Sequence, residues 1–312
     1  MRVPHPAISD EVVKTLKEVG YTFFKPGSEY CLEIIAKKEG VTLVIKTLNN
    51  VDMAKKADME DLQSLAQIFS ASPIVIGSKM QKGEVEPDTL YERFGVNVIS
   101  LKTFEDAAVG SRFPHIYSKR GGLYAKVDGS RLRKLREEHG MSLGDMAKNI
   151  GVSRKAVYEY EHDQMGATLR TIAKIEALLK TDIMEGINPF KWECGKALVE
   201  RSPAAETACK LHSKLKKIGY NAMGFKRAPI DIYVKNIGIC FVTDENLSED
   251  GLERKIEAAL GMSRISGAEP VLVASEKRPA DHDISMIKVD DFSRLEKIGD
   301  LEKLLSCDSK IN

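Results

Sequence analysis

The five cysteines, Cys31, Cys194, Cys209, Cys240 and Cys307, include no C-x-x-C pair. Their odd number and wide spacing signal neither a zinc site nor a disulfide framework, and they read as reduced, mostly buried thiols. Long apolar runs are missing too: none approaches the roughly 18–20 residues that a membrane span requires. The opening MRVPHPAISD lacks the apolar stretch of a secretion signal. The expectation is a cytoplasmic protein with no membrane contact. Charge of one sign is also absent, since 47 Lys+Arg stand against 46 Asp+Glu and the formal net charge is +1. No Ser/His/Asp or Cys/His arrangement has supporting context. Gly121-Gly122 is too short to cradle a phosphate and reads as a hinge. Asp281-His282-Asp283 has the look of a metal triplet, but it follows Pro279 in a polar loop and reads more simply as solvated. No metal and no cofactor are expected.

What is present is a chain of 312 residues, 43% apolar and 30% charged, the composition of a folded protein with two or three domains. Its charge is unevenly spread. Residues 112–160 hold eleven basic and five acidic side chains, a local excess of +6 that leaves −5 for the remainder. A basic island in an acidic chain suits a polyanion-binding module flanked by domains with another task.

The flanks repeat each other. LKEVGY from Leu16 answers LKKIGY from Leu215, and LEIIAKKEGVTLV from Leu32 answers IDIYVKNIGICFV from Ile230 without a gap. PIVIGSK from Pro73 answers PVLVASEK from Pro270, and ISLKTFED from Ile99 answers IKVDDFSR from Ile287. Blocks in one order point to an internal duplication. The unit reads as a helix over about 10–19, strands at 21–24, 31–37 and 41–47, and a helix over about 59–71. A strand at 74–76, a helix near 90–94 and a strand at 96–101 complete it. Glu39-Gly40 between β-branched runs signals a hairpin. Two α/β lobes with mixed sheets follow.

Between them lies a helical block. Ser130 is placed to cap a first helix with Leu132 and Leu135 inside and Arg131, Arg133, Lys134 and Arg136 around it. Ser142 caps a second, with Asp145 completing a near capping box. Gly151 supplies a left-handed turn, and Ser153 caps a third helix from Arg154 to about Glu161. Thr168 opens a fourth, with Ile172, Ile175, Leu178 and Leu179 on its core face. Met146, Ala147, Ile150, Val152, Val157 and Tyr160 fall where such a core needs apolar or small groups. Ser153, Arg154, Lys155, Tyr158 and Glu159 are left facing outward, on the side that enters a major groove.

That spacing defines a chemistry. Arg154 or Lys155 donates to guanine O6 and N7, Glu159 accepts from a cytosine amino group, and Tyr158 meets a thymine methyl or a phosphate. Ser142, Arg131, Arg133 and Lys134, with Lys119, Arg120 and Lys126 nearby, suit phosphate contacts that add salt-sensitive affinity without sequence information. The blander readings are an ordinary solvated face for the Arg131–Arg136 run and simple packing for Tyr158.

The segment LRKLREEHGMSLGDMAKNIGVSRKAVYEYE resembles the Xre/Cro family of helix-turn-helix regulators, which implies a lambda-repressor-like helical domain that binds DNA. It departs where the family begins its second helix with a DNA-contacting glutamine, because Leu143 stands there. The whole chain is similar to archaeal proteins described as helix-turn-helix transcriptional regulators.

The lobes in turn resemble the restriction-endonuclease-like PD-(D/E)XK fold, which implies an acid on the first hairpin strand and E-x-K on the second. Glu33 and Lys46 take the outer places of the first lobe, with Val44 where the second carboxylate belongs. In the second lobe Asp231 leads, Val242 replaces the acid and Asp244 the lysine. Asp231 with Asp244 forms a candidate cation pair, yet the valines argue for degenerate scaffolds.

The expected organisation is an α/β lobe over 1–111, a linker over 112–129, a helix-turn-helix domain over 130–185, an arm over 186–203 and a repeated lobe over 204–312. The leading reading is a non-enzymatic, sequence-specific regulator that binds double-stranded DNA as a homodimer. Its lobes then serve dimerisation, or sensing of a small-molecule or protein effector. The alternatives are a metal-dependent nuclease targeted by the helical block, and an adaptor that binds another protein through it.

Overall fold

The structure, a computed structural model, describes residues 7–81, 83–192, 201–245, 247–275 and 284–308. The Asp281-His282-Asp283 triplet and Cys194 lie outside them.

The chain opens with α1 (Ile8–Val19), β1 (Thr22–Phe24), β2 (Ile34–Lys38) and β3 (Val41–Asn50). Glu39 and Gly40 close the hairpin with φ of 46° and 83°, the paired left-handed geometry that matches strand twist. Helix α2 (Lys56–Ile68) buries Met59, Leu62, Leu65 and Ala66, and β4 (Ser72–Met80) follows. Next come β5 (Gly83–Glu84), β6 (Thr89–Arg93), β7 (Val96–Ile99) and α3 (Leu101–Val109).

Two expectations fail here. The helix near residues 90–94 is instead strand β6, because Phe94 and Gly95, at φ 51° and 80°, fold it back onto β7 with Tyr91 opposite Val98. The strand expected to reach residue 101 stops at Ile99. Ser100 accepts a hydrogen bond from the Thr103 amide and starts α3, a helix the hydrophobic pattern did not reveal.

The stretch expected as a linker folds as a hairpin, β8 (Ile116–Lys119) and β9 (Gly122–Ala125), turning at Arg120-Gly121. Then follow α4 (Gly129–Glu138), α5 (Leu143–Ile150), α6 (Arg154–Glu161), β10 (Ala167–Thr168) and α7 (Leu169–Leu179). The last part holds α8 (Glu206–Lys217), β11 (Ala222–Gly224), β12 (Ile232–Val234), β13 (Ile239–Thr243) and α9 (Glu249–Ser266). It closes with β14 (Glu269–Ala274), β15 (Ser285–Lys288), α10 (Val289–Ser293) and α11 (Asp300–Asp308).

These elements form two compact units. One comprises residues 1–15, 48–52 and 75–191, with strand order β4-β7-β6-β8-β9-β10. Phe104 packs edge-on against Phe190 inside it, and the Asn97 side-chain amide donates to the Pro189 carbonyl at 3.1 Å. Thus part of the expected arm is packed.

The other unit comprises residues 16–47, 53–74 and 192–312. Its five-stranded sheet runs β11-β12-β13-β14-β15, antiparallel through β13 and parallel from β13 to β15. Leu211, Leu215, Val234, Phe241, Val273 and Phe292 form its core. The early segments of the chain are fastened to this part by a fully buried carboxylate. Asp61 on α2 accepts from Arg201 Nη1 at 2.6 Å and from the Lys226 and Arg227 amides at 2.9 and 2.7 Å. A buried carboxylate is tolerable only with such compensation.

The two hairpins differ in register. Ile34 pairs with Ile45 across a two-residue turn, whereas Ile232 pairs with Phe241 across a four-residue one. The ungapped sequence match between them is therefore two residues out on the return strand, and Thr47 and Thr243 occupy the corresponding places.

Candidate nucleic-acid interface

Helices α4 to α7 enclose one core of Leu132, Met146, Ala147, Ile150, Val157, Tyr160, Ile172, Ile175 and Leu179. Each helix start is fixed by a polar cap. Ser142 Oγ accepts from the Asp145 amide while Asp145 accepts from the Ser142 amide, at 3.1 and 2.9 Å, so the capping box is complete. These bonds hold the Asp145 carboxyl below its usual range. Ser153 accepts from the Ala156 amide at 3.0 Å, and Thr168 from the Thr171 amide at 3.2 Å. Gly151 sits at φ 76° and turns α5 into α6. One cap differs from expectation: Asp128, not Ser130, starts α4, accepting from the Arg131 amide at 2.9 Å. Ser130 lies inside the helix and donates to Asp128. A carboxylate is the better acceptor for the positive end of a helix.

Two contacts set the angle between α4 and α6. A Cβ at Gly129 would lie 2.5 Å from the Tyr160 carbonyl oxygen, so only glycine permits this approach. Arg136, expected on the outer basic face, is buried instead. It donates to both oxygens of Glu161, from Nε at 2.5 Å and Nη2 at 3.0 Å, and to the Met141 carbonyl at 2.7 Å. The side chains are only 9% and 2% exposed, and the Glu161 bonds raise the arginine pKa. Arg136 therefore does not belong to the outer basic face of α4. Its place four residues after Leu132, on the core face, was a signal for this in the sequence.

The back of α6, Val157, Tyr160 and Glu161, is buried, and the opposite side is open. Ser153, Arg154 and Lys155 are exposed, the Lys155 side chain at 82%. Tyr158 is 45% exposed and stacks on His162 with ring centroids 3.9 Å apart. Glu159 is partly covered and pairs with Lys155 at 3.5 Å. The five outward residues thus share one surface, with Lys155 and Glu159 tied to each other.

The candidate phosphate contacts divide. Ser142 is exposed at the start of α5. Arg131 donates to Thr181 at 2.9 Å, toward the end of α7. Arg133 and Lys134 pair with Glu137 and Glu138 at 3.1 and 3.9 Å, one turn along α4. These exposed pairs are weak and salt-screened, so phosphate can displace them.

The hairpin β8–β9, in the stretch expected as a linker, belongs to the same block. Ala167 and Thr168 of β10 pair with Ala125 and Tyr124, and a Cβ at Gly166 would meet the Ala125 carbonyl at 2.6 Å. Lys119 and Arg120 are exposed at its tip.

The acids of the nuclease-like frame are engaged by lysines. Lys46 Nζ lies 3.5 Å from Glu33 and donates to the Ser28 and Tyr30 carbonyls at 2.8 Å each. Glu33 also accepts from the amide and hydroxyl of Thr47. In the later sheet Lys255 donates to both oxygens of Asp231 at 2.8 and 2.7 Å, and Thr243 donates to the same carboxylate from its amide and hydroxyl. Asp244 accepts from the Ser275 amide instead of joining Asp231. Among the described residues no group of three or more His, Cys, Asp or Glu side chains is placed to hold a metal. Asp231 and Asp244, which the sequence offered only as a candidate cation pair, thus have separate partners, and an ammonium sits against Asp231.

Family profiles match this chain in two places. Residues 5–114 match a PD-(D/E)XK superfamily domain, and residues 132–185 match a helix-turn-helix. A nuclease-like domain therefore precedes a helix-turn-helix domain in the middle of the chain. Relatives described as "Putative HTH-type transcriptional regulatory protein" align along most of the length. One from Methanococcus maripaludis strain C6 is 30% identical, covering 95% of this chain and 94% of its own. One from Pyrococcus abyssi is 30% identical with 94% of each covered, and one from Methanocaldococcus jannaschii 25% identical with 95% of each. A solved complex described as "SINR PROTEIN/SINI PROTEIN COMPLEX" matches at 25% identity and a TM-score of 0.17, over 17% of this chain and 53% of that one. No described helix is long and apolar enough to cross a membrane.

Proposed function

The chain belongs to the archaeal family described as "Putative HTH-type transcriptional regulatory protein", and we propose that it reads double-stranded DNA by sequence. The observation that carries this reading is the division of α6. Val157, Tyr160 and Glu161 anchor one side in the core, and Arg154, Lys155 and Tyr158 stand exposed on the other. A rod held this way presents donors to base edges at little entropic cost. Arg154 is the primary base reader because Lys155 must first release Glu159. Ser153, Tyr158 and Glu159 complete the readout surface. Ser142, Arg131, Arg133 and Lys134 contact phosphates and position the helix without reading bases.

The reading includes an organisation of parts. A lobe over 1–111 and a repeated lobe over 204–312 flank a helix-turn-helix domain that takes in the β8–β9 hairpin and runs to about residue 185, with a joint at 186–203. Duplication is supported by the hairpins β2–β3 and β12–β13, each preceded by an antiparallel strand, and by Thr47 and Thr243, each donating twice to the leading acid. The lobes are non-catalytic, serving homodimerisation or effector sensing in the cytoplasm. A homodimer would place two recognition helices on half-sites about 34–36 Å apart.

The PD-(D/E)XK match favours a second reading, a metal-dependent nuclease guided by the helix-turn-helix. The lysines seated on Glu33 and Asp231, valine at 44, and Cys240 and Val242 at the register-matched carboxylate and lysine places of the later hairpin weigh against it. Selection of bound fragments from genomic DNA, followed by anisotropy titration, tests the first reading; the expected result is an enriched motif bound at least about a hundredfold more tightly than random DNA. Equal affinity for all fragments would overturn it. Magnesium- or manganese-dependent cleavage abolished by Asp231→Ala would establish the second.

A further inference from the structure

A groove of about 550 Å³ runs along one side of α9. Arg254, Glu257, Gly261 and Arg264 form one wall, and their spacings of three, four and three residues place them on one helix face. Phe24 and Lys25, at the end of β1 in the same unit, form the other. Gly261 is what lets the two walls meet, since a Cβ there would lie 2.3 Å from the Phe24 ring. Arg254 and Arg264 are both exposed, and among the described residues neither has an ion-pair partner. Two arginines thus face the groove on either side of the Glu257 carboxylate, in a part of the chain that carries no other role in DNA recognition.

We propose that this groove binds an elongated phosphorylated ligand of nucleotide or dinucleotide size. The two arginines stand ten positions apart, about 15 Å along the helix axis, so they meet a ligand from opposite ends. Guanidinium groups match phosphate oxygens in paired hydrogen bonds. Phe24 supplies apolar surface against which a planar base packs. The volume lies within the range of small-ligand sites. This gives a chemical class to the effector of the reading above and rests on that reading only for its regulatory meaning. Binding requires no DNA, so the two fail separately.

The test is calorimetric titration of the full chain, without DNA, using ATP, NAD and inorganic tripolyphosphate as probes. The expected result is a Kd below about 1 mM for ATP or NAD. Arg254→Glu with Arg264→Glu should weaken that binding about tenfold or more, with the melting temperature retained. Phe24→Ala should weaken the nucleotide while leaving tripolyphosphate unchanged. The proposal is overturned if neither nucleotide binds, or if the double charge reversal leaves their affinity within about twofold. It is equally overturned if a 12-nucleotide single strand binds at the same arginines more tightly than either nucleotide, which would make the groove a nucleic-acid track.

Discussion

Arg136 and Glu161 face each other across the helical block in a two-pronged ion pair, with Nε 2.5 Å from Oε1 and Nη2 3.0 Å from Oε2. The pair joins the last turn of α4 to the last residue of α6, so the orientation of the outward surface depends on it. Removing one partner leaves a buried charge uncompensated, which typically costs about 3–5 kcal/mol. Arg136→Met should therefore destabilise the domain by an amount in that range, read from urea unfolding. Arg136→Met with Glu161→Leu should recover most of it. A loss below about 1 kcal/mol for the single variant would mean that the pair is hydrated and dispensable.

The start of α4 offers a second test. Asp128→Ala should cost about 1 kcal/mol, the usual worth of a cap, while Ser130→Ala should stay within about 0.5 kcal/mol. The hydrogen bond from the Arg131 amide holds the Asp128 carboxyl below its ordinary 3.8. A depressed folded pKa stabilises above the unfolded value, and that contribution is lost as pH falls through the folded one. The stability difference between wild type and Asp128→Ala should accordingly shrink below about pH 4, as measured by unfolding titrations from pH 7 to pH 2.

Salt dependence separates readers from positioners. Lys134→Ala should weaken binding to selected and random DNA alike and reduce the slope of log K against log salt by about one. Arg154→Ala should cost about 1–3 kcal/mol on selected DNA and much less on random DNA. Arg136→Lys should disturb both through the domain's shape. Anisotropy titrations at several salt concentrations distinguish these three patterns.

Lys255 and Asp231 offer a test on the lobes. Lys255→Met should destabilise the C-terminal part by ~3 kcal/mol, and adding Asp231→Asn should restore much of that, since the ammonium and the carboxylate neutralise one another. If Lys255→Met instead gains magnesium affinity and DNA cleavage, the lysine is a plug in a working site and not part of a scaffold.

Much of the helical block is legible in the sequence because its signals are local. Ser142 with Asp145, Gly151, Ser153 and Thr168 each act on residues within one turn, and all appear where the spacing places them. What escaped depends on distant partners. Arg136 reads as one more surface arginine until Glu161, 25 residues later, folds beside it. Strand β6 reads as a short helix because TLYERF carries little periodicity, and the turn that decides the matter has a non-glycine, Phe94, in the left-handed region. The β8–β9 hairpin hides behind Gly121-Gly122, which looks like a hinge until β10 pairs with it from some forty residues away. In the lobes, Glu33 with Lys46 and the acid Asp231 were visible, but not the lysine on Asp231, for Lys255 comes from a helix outside the motif.

Contact between Arg154 and a base is open to a chemical double-mutant cycle. Wild type and Arg154→Ala are titrated against the selected site and against copies in which each guanine in turn is replaced by 7-deazaguanine, which removes the N7 acceptor. If Arg154 reads a guanine, the replacement at one position weakens the wild type by about 1–3 kcal/mol and leaves the variant unaffected. Equal penalties for both proteins at every guanine would contradict it.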